Sequence, residues 1–116
     1  MPVRRRRRQF DPGLGTPRVT DFDPNPAPLT GAFTCSGAAF GPTRTVPAGI
    51  WIGDAATYKG CATLVAQTVS TWSDAEIEGG LVTTGLESGH NYVYVKNRAG
   101  KVNTNGYEVV LDSPAE

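Results

Sequence analysis

The chain has 116 residues and a mass of 12.3 kDa, about one domain's worth, which excludes a two-lobed enzyme with an interdomain cleft. Thr, Val and Ile supply 27 residues beside 14 Gly and 9 Pro, a composition of strands and tight turns that argues against long helices. The 11 basic and 11 acidic side chains cancel only globally: residues 1–18 hold six Arg against Asp11, and residues 19–116 hold five basic and ten acidic groups.

Taken in order, the first 17 residues read as an arm. Five consecutive arginines, Arg4 to Arg8, lead into Gln9-Phe10-Asp11-Pro12 and then Gly13 to Pro17. There is no apolar period to bury, so the arm orders only by docking on a partner that supplies opposite charge or a groove. The arginines are not the start of an export signal, because no apolar run of about 7 to 15 residues follows them. No stretch approaches the roughly 20 apolar residues of a membrane span. The expectation is a protein made in a cytoplasm, with Cys35 and Cys61 as free, buried thiols; a bridge between them is the alternative.

From Arg18 the pattern becomes one of short strands. Arg18 to Phe22 is the first, closed by Pro24, Pro26 and Pro28, which lack the ladder donor. Gly31 to Ser36 is the second. Val46 to Ile52 puts Val46, Ala48, Ile50 and Ile52 on one face and Trp51 on the other. Ala62 to Trp72 is long enough to bend or cross an edge midway. Glu76 to Glu78 and Leu81 to Thr83 flank a Gly79-Gly80 break. Asn91 to Lys96 leads through Asn97-Arg98-Ala99-Gly100-Lys101, a hairpin loop whose Gly100 takes positive φ. Gly106 to Leu111, with Tyr107, Val109 and Leu111 on one face, closes the set. About seven short antiparallel strands without helical periodicity predict an all-β, immunoglobulin-like β-sandwich at residues 18–112, with an extended N-terminal arm at 1–17 and a short tail at 113–116.

Four stretches in order carry a resemblance: Val19 to Pro24 with Leu29-Thr30-Gly31; Phe33 to Gly41, with its spaced Phe and Gly; Val69 to Ile77 around Trp72; and Tyr92 to Gly100. Together they resemble the IPT/TIG group of immunoglobulin-like domains over residues 18–112, the stretch Pro42 to Cys61 fitting least. The resemblance implies a sandwich of two antiparallel sheets. It brings no catalytic residues, since such domains serve as spacers, adhesion modules or interaction modules.

Catalytic and metal chemistry finds little to stand on. His90 is the single histidine and reads as a surface or turn residue, without a nucleophile elbow or a second histidine. Asp21 to Asn25 imitates half a calcium loop but has Pro26 where glycine is needed and Ala32 where a closing glutamate belongs. Two cysteines and one histidine do not make a zinc site, and Gly13-Leu14-Gly15 lacks the third glycine of a dinucleotide loop. No enzyme activity, metal or cofactor is expected.

Two features remain. Tyr92 and Tyr94 alternate with Val93 and Val95, so valines in the core would leave the tyrosines, with Trp72, either as a candidate surface for sugar rings or another protein or as side chains that cover the sheet face and pack internally. Arg4, Arg5, Arg6, Arg7, Arg8 and Phe10 are the candidate docking residues of the arm, their guanidiniums suited to carboxylates or phosphates. By analogy with the domain group, the expectation is a structural protein of a virion in multiple copies, such as a phage capsid decoration protein. Its arm would lie in an acidic groove of capsid or other virion proteins. The alternatives are a module that binds host glycans, and nucleic-acid binding through the arm, which a body of net negative charge disfavours. No membrane partner is expected.

Overall fold

A computed structural model describes residues 15–28 and 30–111. It contains β1 (Arg18–Asp23), β2 (Ala32–Ala38), β3 (Gly49–Gly53), β4 (Leu64–Ala66), β5 (Thr68–Trp72), β6 (Glu76–Gly80), β7 (Gly89–Lys96) and β8 (Tyr107–Leu111). One sheet has the order β1-β2-β6-β5 and the other β4-β3-β7-β8, all neighbours antiparallel. With β4 set aside, this is the four-plus-three arrangement of an immunoglobulin constant-type sandwich. The expected all-β, immunoglobulin-like architecture is therefore found, with eight strands in place of about seven.

The alternation of side chains explains which faces meet. Phe22, Phe33, Cys35 and Ile77 point inward from the first sheet; Ile50, Ile52, Val93, Val95, Val109 and Leu111 point inward from the second. Phe22 stacks on Phe33 with ring centroids 5.2 Å apart. Cys35 lies in this core and Cys61 on the opposite side of the second sheet, beside Gly53. Both thiols are free, as expected, although Cys61 is only half-buried.

Two of the expected strands differ from the structure, each for a physical reason, and one expected crossing is found. The third strand begins at Gly49 rather than Val46, because Pro47 has no N–H to donate; Val46 is left 90% exposed. Gly79 and Gly80 do not break a strand but end β6, and residues 81–83 are irregular. A Cβ on Gly79 would lie 1.8 Å from the Thr68 carbonyl oxygen, so the absent side chain permits a close approach of β5 at its bulge. The long run at 62–72 does cross between sheets midway: β4 belongs to the second sheet and β5 to the first, with Gln67 between them.

Gln67 fixes this crossing through both ends of its amide. Its Nε2 donates to the carbonyls of Val65 and Val82 and its Oε1 accepts from Val82 N–H, while its own backbone N–H bonds Ile50 O. Asn25 does similar work at the β1–β2 connection: Nδ2 donates to Glu108 O and Oδ1 accepts from Val110 N–H, which pairs a proline-rich segment with the edge of β8. The peptide bonds preceding Pro24, Pro26 and Pro47 are cis.

Candidate interaction surfaces

The arm's docking residues, Arg4 to Arg8 and Phe10, lie outside the described residues; the place where the arm leaves the body does not. Pro17 is buried. Gly15 O accepts a 2.8 Å hydrogen bond from Nδ2 of Asn97, which also donates to Ala39 O. Oδ1 of the same side chain accepts from Ala99 N–H and Lys101 N–H. With 0% exposure, Asn97 thus ties together the arm root, the segment after β2 and the β7–β8 hairpin loop, all four of its hydrogen-bonding positions used.

This end of the sandwich gathers further segments. Gly37 N–H bonds Ala75 O and Phe40 N–H bonds Asp74 O, Gly41 N–H bonds Oδ1 of Asp74, and Arg98 reaches Thr43 Oγ1. The root end is therefore built from residues 15–18, 38–48, 73–75 and 97–101. Beside it, a cleft of about 280 Å³ runs between Thr16 to Val19 and Asn103 to Tyr107. Its floor is held by buried Asn103, whose Oδ1 accepts from Val95 N–H and whose Nδ2 donates to Val93 O and Asn105 O.

Of the two readings of the aromatics, the covered one holds at Tyr94 and Trp72. Val93 and Val95 do fill the core, and Tyr92 and Tyr94 do share the other face. That face is covered at Tyr94, which is 0% exposed. The 54–61 connection folds across it: Tyr94 Oη donates to Ala55 O at 2.5 Å, Tyr58 meets its ring edge-on at 5.4 Å, and Gly106 N–H bonds Ala56 O. Burial, followed by the nearby Cys61 thiol, pushes the Tyr94 phenol above its ordinary value. Trp72 is a strut rather than a surface residue: its Nε1 donates to Gly41 O at 2.9 Å and its ring tilts against Phe40. Tyr92 alone of the three stays half-exposed without such a role.

Trp51, placed outward by alternation, and Tyr58 stand outside the candidate surface drawn from the sequence. Their rings lie on the same outer face with Lys96 Nζ over both, at 5.7 and 5.6 Å. The Trp51 ring also folds back over Gly49, where a Cβ would meet it at 2.7 Å. Period-two alternation placed Trp51 outward; the packing of Tyr58 depends on a loop path that carries no such signal.

At the end opposite the arm root, Asp54, Thr63, Gly85, Glu87, Ser88, His90 and Asn91 line a polar recess. Exposed His90 contacts Glu108 through Nδ1, a surface role as expected. Asp54 is occupied in a turn, accepting from Ala62 and Thr63 N–H. Among the described residues no group of three His, Cys, Asp or Glu side chains could hold a metal ion.

No family model matches the chain and no curated protein does, so the IPT/TIG resemblance rests on its motifs. Among solved structures the chain is similar to a structural genomics protein of unknown function from Bacteroides thetaiotaomicron VPI-5482, with a TM-score of 0.64 at 17% identity. The similarity covers 89% of this chain and 23% of that one: the chain spans about a quarter of the length of the structure it matches, and what the two share is a fold.

Proposed function

We propose that the chain is a non-enzymatic structural protein of a virion, a decoration protein of a phage capsid or another particle surface, docked through its arginine arm. The IPT/TIG-type sandwich is the projecting body. The observation that carries this reading is the arm root. Gly15 is held by a fully buried asparagine and Pro17 is itself buried against the body, so an arm that engages a groove fixes the position of the sandwich as well as its attachment. A freely hinged tail would not do so.

Charge supports the same reading. The arm's guanidiniums prefer carboxylates or phosphates in forked geometry, while the body carries an excess of acid. The glycan-binding alternative loses support, since Tyr94 is buried and Trp72 is bonded into the fold. The test is assembly of particles in the presence of the chain lacking residues 2–10. The proposal predicts that the truncated protein folds and is lost from the particles; full retention contradicts it.

A further inference from the structure

We infer that the arm does not dock alone: the root end of the sandwich is itself a docking face, fitted to a carboxylate-bearing protein surface with a shallow apolar recess. This rests on the reading that the arm engages a partner. Phe10 is five residues from Gly15, so a groove that holds it lies within about 18 Å of the root at full extension. The loops around the root then face the same partner.

The charges on the body are segregated. Six basic residues fall among the described ones; Arg18, Arg44, Arg98 and Lys101 all stand at the root end, and Arg18, Arg44 and Lys101 are exposed. Asp23, Asp54, Glu87 and Glu108 stand at or near the opposite end, where β1, β3 and β8 finish and β7 begins. Toward the root end the acids are Asp74, already engaged by Gly41 N–H, Glu76 at the start of β6 and Asp21, level with Glu76 across Ser36 of β2, while Glu78 stands mid-strand. A body whose overall charge is negative thus offers a positive face at the place where the arm begins.

The same face carries the one large apolar side chain that is exposed among the described residues, Val46 at 90%. It stands on a 42–47 loop with exposed prolines at both ends, Pro42 and Pro47, and a 2.9 Å bond from Ala48 N–H to Thr45 O closes the loop behind it. A phosphate backbone has no recess for a valine, and its uniform charge would repel Asp74 and Glu76. A protein surface can supply both spaced carboxylates and a recess, so the partner chemistry is acidic protein rather than nucleic acid.

The experiment titrates the full chain with three probes at physiological salt: poly-L-glutamate, a glutamate–leucine copolymer of equal charge, and a short DNA duplex. The copolymer should bind several-fold more tightly than poly-L-glutamate, and Val46→Ser should erase that difference. The double variant Arg44→Glu/Lys101→Glu should weaken both acidic probes by about tenfold, and the chain lacking residues 2–10 should keep a residual, salt-sensitive affinity that the double variant removes. The substituted side chains are exposed, and an unchanged melting temperature confirms folding. If the double variant binds as the parent does, or the armless chain binds neither acidic probe, the root face is not a docking face, while an arm that remains necessary keeps its role. If deletion of the arm changes nothing, the arm reading fails instead. DNA bound more tightly than the copolymer, with no response to Val46→Ser, overturns the assignment to a protein partner.

Discussion

Asn97 shows how much one side chain does at the root end. Replacing it with alanine leaves two carbonyls and two N–H groups without their partner, and unsatisfied buried groups cost about 1 to 3 kcal/mol each when water cannot reach them. We expect Asn97→Ala to lower the unfolding free energy by roughly 2 to 3 kcal/mol in urea titration, since part of the site will hydrate. The amides of Ala99 and Lys101 should lose hydrogen-exchange protection first. Cys35 supplies a second test. Burial, and secondarily the Asp21 charge, push its thiol from 9.0 up to about 12. Between those values the unfolded chain gives up a proton that the folded chain keeps, so stability falls as pH rises through that window. The loss amounts to about 4 kcal/mol, at 1.36 kcal/mol for each tenfold change in acidity. Cys35→Ala should flatten this alkaline slope in urea titrations from pH 8 to 11, leaving the smaller part due to Tyr94, and in the native protein iodoacetamide should label half-buried Cys61 before Cys35. In the sequence, Cys35 reads as a core thiol because it alternates with Phe33 in a strand. Asn97 reads only as a hairpin residue, since its partners at 15 and 39 are remote in sequence.

At the scale of elements, the strands that alternate cleanly were the legible ones. The β7–β8 hairpin and the inward faces of β3 and β8 follow from period two and a positive-φ glycine, Gly100. What escaped are the positions where a backbone-level device overrides the pattern. The crossing midway through 62–72 was expected, but not that the Gln67 amide fixes it, and Gly79 marks a close approach rather than a break. Gly79→Ala must push β5 off β6 by more than 1 Å, since contacts as short as 1.8 Å do not exist. Overpacking of this kind costs about 1 to 3 kcal/mol; a drop of that size in the unfolding free energy, with new exchange at the β5–β6 ladder, is expected. A fully neutral substitution would mean that the bulge relaxes without loss. Tyr94 was left open between surface and interior for a related reason. Strand alternation assigned its face, but nothing in the 54–61 stretch announces that it folds over that face.

The whole molecule joins a sandwich with a positively charged end to an arginine-rich arm. Removing residues 2–10 should leave the melting temperature within about 2 °C, because that stretch of sequence has no apolar period to bury. Composition made the arm's charge legible. The polarity of the body was not, because Arg44, Arg98 and Lys101 are scattered in sequence and only the antiparallel order of strands brings them to one end. The most direct measurement is imaging of the protein at side-chain resolution in its native assembly. The account predicts arginines 4–8 paired with acidic groups in a groove, the 42–47 and 97–101 loops against the same partner, and the recess lined by Asp54 and Glu87 facing outward. Attachment through the covered face of the β4-β3-β7-β8 sheet, with the arm touching nothing, would contradict it.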